Sequence, residues 1–245
     1  MKGIDVSKWQ GNVIWASVKA SGIDFAILKC GGSDSGFYTD PKFEQNYNEA
    51  KAVGMPVGAY YFVGSKFISK EDGIADAKRC LDIIKGKSFE YPVFVDVETT
   101  SVNDKDGTTQ AVIAFCKTLE ESGYYCGVYS SDVFGFKDRL DISKLQGIDK
   151  WVAKYSSAKP SYITDYVMWQ YSDRGTVNGI TGYVDLNESF VDYPSIIRNM
   201  NGNINIPADP ADKDALINRL LDLYSKQKNL LEEMKGIIEE CQMQS

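Results

Sequence analysis

The chain has 245 residues, 43% hydrophobic and 25% charged, the balance of a folded globular protein with enough apolar material for a sizeable core. Its net charge of −7, without a basic patch, argues against a nucleic-acid partner, and no apolar run reaches the ~18 residues that membrane insertion needs. There is no histidine, which excludes Ser-His-Asp and Cys-His catalysis and a histidine-ligated metal, so acid–base chemistry falls mainly to carboxylates.

The first apolar segment, residues 3–6, reads as a strand, followed by a short helix at 14–20 and a strand at 25–30. Asp40-Pro41 reads as the N-cap and first position of a helix that Gly54 ends. A strand at 57–63 precedes a helix at 69–85, whose Ser69 and Asp72 have capping-box spacing. Then come a strand at 91–97, a helix at 107–122 and a strand at 125–130. Beyond this the helical pattern thins, and 150–153, 166–171 and 183–187 read as strands joined by loops or very short helices.

Strand–helix alternation argues for a parallel sheet. Eight such strands predict an irregular TIM-like (β/α) barrel whose last three strands lack full helices; a doubly wound open sheet is the alternative. The barrel domain is expected over residues 1–199. The Asn-, Gly- and Pro-rich stretch 200–209 reads as a linker, and 210–245 as a C-terminal amphipathic helix. Its Ile217, Tyr224, Leu231 and Ile238 recur at heptad a, Leu220, Gln227, Met234 and Cys241 at d, and Leu216, Leu223, Leu230 and Ile237 at g. So wide an apolar face predicts a homo-oligomer through residues 210–242; packing back onto the barrel, or part of a longer wall-binding region, is the alternative.

In such barrels the chemistry sits at the carboxyl ends of the strands. Alternation along the first strand puts Asp5 and Ser7 on one face. Along the fourth it puts Phe94, Asp96 and Glu98 inward and Val93, Val95 and Val97 outward, and along the last it pairs Asp185 with Asn187. Four carboxylates, Asp5, Asp96, Glu98 and Asp185, are thus expected at one mouth. Their crowding raises at least one pKa, as a general acid requires. Strand-end turn residues facing solvent, or a divalent-metal site, are the other readings of the same pattern. Tyr60, Phe62, Tyr129, Trp151, Tyr155, Trp169 and Tyr171 bring aromatic faces of the kind on which pyranose rings stack; core packing is the other reading, and the better one for Trp151 and Trp169 individually, while Lys29 is expected to point inward toward an acidic partner.

The segment Asp5-Val6-Ser7-Lys8-Trp9-Gln10-Gly11 resembles the opening D-x-S-x-W-Q-G of the family 25 glycoside hydrolases, the bacterial and phage N-acetylmuramidases (lysozymes). Further matches follow in order: Lys29, Gly58–Phe62 (G-A-Y-x-F), Asp96-Val97-Glu98 (D-x-E), Trp151–Tyr155 (W-x-A-x-Y), Trp169-Gln170-Tyr171 (W-Q-Y) and Asp185-Leu186-Asn187 (D-x-N). The resemblance covers roughly residues 3–195. It implies Glu98 as general acid, and Asp96 as the group that steadies positive charge or orients the sugar's 2-acetamido group. Asp5 and Asp185 would hold the sugar or tune the central pair. Tyr60, Phe62, Lys29, Tyr129, Trp151, Gln170 and Asn187 would contact substrate.

The resemblance implies a peptidoglycan hydrolase that acts on the bacterial glycan strand, with no cofactor and no metal. A non-catalytic glycan-binding barrel, a chitinase-like enzyme and a metal-dependent hydrolase are the competing readings. The D-x-x-D-x-D-x-E strand of the chitinases is absent around Asp96. The five cysteines, Cys30, Cys80, Cys116, Cys126 and Cys241, lack CxxC spacing and read as buried thiols of a reducing compartment. With no leader evident at Met1, the expectation is an endolysin made in the cytoplasm that acts on the wall after release. A secreted enzyme whose leader has been removed is the alternative.

Overall fold

The computed structural model describes residues 1–200; the expected linker beyond residue 200 and the expected helix at 210–245 lie outside them. Nine strands form one sheet among the described residues: β1 (Lys2–Val6), β2 (Phe25–Gly32), β3 (Tyr38–Thr39), β4 (Val57–Val63), β5 (Val93–Val97), β6 (Cys126–Ser131), β7 (Asp149–Ala153), β8 (Met168–Gly175) and β9 (Val184–Ser189). Eight of them run in the order β1-β2-β4-β5-β6-β7-β8-β9. The parallel pairing of β1 with β2 and the antiparallel pairing of β1 with β9 close the ring. The two-residue β3 lies antiparallel against the end of β2, outside the ring.

Helices α1 (Trp15–Ala20), α2 (Phe43–Ala52), α3 (Lys70–Ile84) and α4 (Lys105–Glu121) follow the early strands. After β6 there is only a π-helical turn, Asp132–Lys137, and a 3-10 turn, Ile142–Lys144. The β7–β8 and β8–β9 connections carry no helix, so the barrel is irregular where the pattern thins. Helix α5 (Tyr193–Met200) follows β9.

Two expectations need correction. The sheet is not wholly parallel, because β9 runs antiparallel to both β8 and β1. A parallel return needs a crossover of about a dozen residues or more, and the chain between Gly175 and Val184 is too short for one. Nor does Asp40-Pro41 open α2. The Asp40 carboxylate accepts the Lys42 N–H at 2.9 Å and the Lys8 N–H at 3.1 Å, closing a turn that ties the β1 loop in place, and the helix starts at Phe43. Gly54 ends that helix as expected, at φ +69°, a conformation that L side chains avoid. Ser69 caps α3 by accepting the Asp72 N–H, while Asp72 answers with its carboxylate on the Ser69 hydroxyl at 2.5 Å and the Ile68 N–H at 3.3 Å.

Strand alternation sorts the core into two layers. Ile4, Val6, Val93, Val95, Val97 and Val128 belong to the cluster that packs under the helices, with Val18, Ala77 and Phe115. Phe25, Ile27, Phe94, Tyr129, Trp151 and Met168 fill the barrel interior. Its amino-terminal end is plugged by aromatics. Phe25 stacks on Tyr91 at 4.1 Å, Tyr91 meets Tyr193 of α5, and the Tyr125 and Tyr193 hydroxyls both donate to Asp149.

Candidate active site

The open end of the barrel holds a cavity of about 220 Å³ lined by Asp5, Lys29, Tyr60, Asp96, Glu98 and Asp185, with Trp9, Tyr129 and Tyr155 at its wall. Strand register builds it. Asp5 and Asp185 face each other across β1 and β9, Asp96 lies between Phe62 of β4 and Tyr129 of β6, and Lys29 of β2 is level with Tyr60. Glu98 lies one residue beyond β5 and reaches solvent, whereas Asp5 and Asp96 are buried. All four predicted carboxylates therefore meet at one mouth.

Their environments differ. Asp5 is held by two amides: Gln170 Nε2 and Asn187 Nδ2 each donate to Asp5 Oδ2 at 2.8 Å. Burial still raises the Asp5 pKa against those bonds. Burial, then the charge of Asp5, pushes Asp185 up to about 8. Burial, then the charge of Glu98, lifts Asp96 well above the carboxylate range, with Lys29 opposing. Burial also raises Glu98, while a hydrogen bond from Asp96 and the charge of Lys29 pull it down. Asp96 and Glu98 are thus both displaced toward the protonated form and share protons. Asp96 Oδ1 is buried, and among the described residues no N–H or hydroxyl donor reaches it.

Lys29 points inward, but no carboxylate lies within ion-pair distance of it among the described residues. Its ammonium sits 4.4 Å from the ring centre of Phe62 and 5.6 Å from that of Tyr60. Tyr129, Trp151, Gln170 and Asn187 are buried, and their polar atoms are taken by one another. Tyr129 and Tyr155 donate to Gln170 Oε1 at 2.7 and 2.9 Å, and Trp151 Nε1 donates to Asn187 Oδ1 at 2.9 Å. The Trp151 ring is enclosed by Phe94 and Tyr129, with centroids at 5.2 and 4.4 Å. Gln170 and Asn187 thus hold Asp5, Tyr129 and Trp151 fix those two amides in turn, and Tyr60 and Phe62 remain half-buried at the side of the cavity. Among the described residues no three His, Cys, Asp or Glu side chains are grouped to hold a metal ion.

The family's sequence model, "Glycosyl hydrolases family 25", matches residues 4–180, a span that contains Asp5, Asp96 and Glu98. This chain belongs to that family. It is 34% identical over 188 residues to the autolytic lysozyme of Clostridium acetobutylicum, an alignment covering 77% of this chain and 55% of that one. It is 29% identical over 215 residues to lysozyme M1 of Streptomyces globisporus, covering 77% and 67%. The crystal structure of the CTP1L endolysin superposes with a TM-score of 0.69 at 30% identity, covering 82% of this chain and 69% of that one. The family 25 chain thus spans little more than half the length of the Clostridium relative.

Trp9, which the sequence marks only as part of the opening motif, also lines the site. The Ser7 hydroxyl accepts the Trp9 N–H at 3.3 Å and Gln10 Oε1 accepts the Ser7 N–H at 2.9 Å, a capping box that turns the chain and leaves Trp9 79% exposed on the rim. The Ser7–Gln10 spacing was the available signal.

Proposed function

We propose that this chain is a lysozyme, cleaving the β-1,4 bond between N-acetylmuramic acid and N-acetylglucosamine in bacterial peptidoglycan. The observation that carries the reading is Asp96 Oδ1, a buried acceptor that no N–H or hydroxyl of the described residues reaches, beside a proton-sharing neighbour. Leaving such an atom unpaired costs about 1–3 kcal/mol, and the N–H of a 2-acetamido group would satisfy it. Glu98, at the solvent side, gives its proton to the glycosidic oxygen as the C1–O bond breaks. The acetamido oxygen, steadied by Asp96, closes on C1. Water then opens that ring at C1 and returns a proton to Glu98. Asp5, fixed by Gln170 and Asn187, and its partner Asp185 hold the sugar beneath. Tyr60, Phe62 and Trp9 offer stacking faces, and Lys29 balances the acidic pair.

The lytic relatives support a role at the cell wall, of the endolysin kind. Lysis of washed cell walls tests the proposal. The chain clears the suspension, in chelator as well as without it, and Glu98→Gln does not. Undiminished lysis by Glu98→Gln overturns it.

A further inference from the structure

A second cavity, about 420 Å³, opens on the other side of Glu98, bounded by Tyr129, Val133, Phe134, Lys154 and Tyr155. Glu98 lines both cavities, so it stands at their boundary. On the reading above, the sugar whose C1 reacts lies over Asp96 and Asp5, and the oxygen that receives the Glu98 proton joins it to the next sugar. That next sugar must extend past Glu98, away from Asp5.

Phe134 lines this cavity and is 74% exposed, yet its mount is fixed. The turn Asp132–Lys137 that carries it is a π-helical turn, a geometry frequent at functional sites. At its start the Asp132 carboxylate accepts the N–H groups of Ser161, Tyr162 and Ile163 at 2.9–3.0 Å. At its end Lys105 Nζ donates to Lys137 O at 2.7 Å. The Arg139 guanidinium donates to Phe134 O itself, and its Nε donates to Thr100 O at 2.7 Å, joining the turn to the loop after Glu98. Gly135 lies so close to Ser130 that a Cβ would come 1.8 Å from the Ser130 hydroxyl. The next residue, Phe136, is fully buried. An exposed ring on a braced turn contributes little to folding, but it is pre-organised for a flat apolar ligand, because little freedom is lost when one stacks on it.

We infer that Phe134, with Tyr155 across the cavity, is the platform for the sugar on the leaving-group side of the scissile bond. The inference rests on the glycosidase reading and adds to it a specificity-determining residue outside the carboxylate cluster. Calorimetric titration of the full chain with an uncross-linked tetrasaccharide of alternating N-acetylglucosamine and N-acetylmuramic acid tests it, in the Glu98→Gln background so that the ligand survives. Phe134→Ala added to that background is expected to weaken binding about tenfold, and Phe134→Trp to restore it. Equal affinity with and without the Phe134 ring, or loss with both replacements, overturns the platform alone. Absence of binding by Glu98→Gln itself overturns the glycan reading and the platform with it.

Discussion

Asp96 and Glu98 sit two residues apart at the end of β5, yet one is buried and the other meets solvent. On the proposed mechanism, one carboxyl holds and orients while the other exchanges protons with substrate. Glu98→Gln keeps size and polarity but removes the transferable proton, so lysis should fall at least ~100-fold while circular dichroism and melting stay native. Asp96→Asn should be nearly as damaging, and Asp5→Asn less so. Asp185 makes a separate prediction about stability. Its folded pKa of about 8 lies above the unfolded value of 3.8, so the folded chain keeps a proton that the unfolded chain releases. Its contribution is full below the unfolded value and is lost as pH rises through about 8. Asp185→Asn should therefore raise the melting temperature relative to the parent more at pH 8 than at pH 5; equal shifts at both would contradict the assignment. The four carboxylates were legible in the sequence because strand alternation alone places them. The roles of Gln170 and Asn187 were not. Which residue meets substrate and which meets Asp5 depends on depth in the barrel, which a period of two does not encode.

At the level of elements, the sequence was readable where local chemistry decides. Ser69 caps α3 and Gly54 ends α2 with the expected partners. It was unreadable where tertiary contacts win. Asp40 carries cap chemistry, but the Lys8 N–H claims half of its carboxylate, and α2 begins later. Gly73, inside α3, gave no hint of its purpose: a Cβ there would come 2.2 Å from Ala111 O, so α3 and α4 meet backbone to backbone. Gly73→Val should cost about 1–3 kcal/mol of stability through overpacking, read as a lower denaturant midpoint, with lysis per folded molecule unchanged. An unchanged midpoint would mean that the helix contact is not close-packed.

At the scale of the whole barrel, closure leaves one end open among the described residues, since aromatics around Tyr91 and Tyr193 plug the other. Every site carboxylate is pushed toward its protonated form, so activity should be highest on the acid side of neutral and decline as the shared proton of Asp96 and Glu98 is lost. A rate that climbs steadily to pH 9 would contradict a carboxylic proton donor. The barrel was visible in the count of eight strands, but the antiparallel return of β9 was not, because strand direction follows from loop length and packing more than from strand sequence. Self-association through residues 210–242 stands as a proposal: light scattering should give an oligomer for the full chain and a monomer for residues 1–205, and two monomers would refute it. The central claim concerns one bond, and mass spectrometry of fragments released from purified peptidoglycan reads that bond directly. The account predicts fragments ending in reducing N-acetylmuramic acid, with none released by Glu98→Gln; fragments ending in reducing N-acetylglucosamine would contradict it.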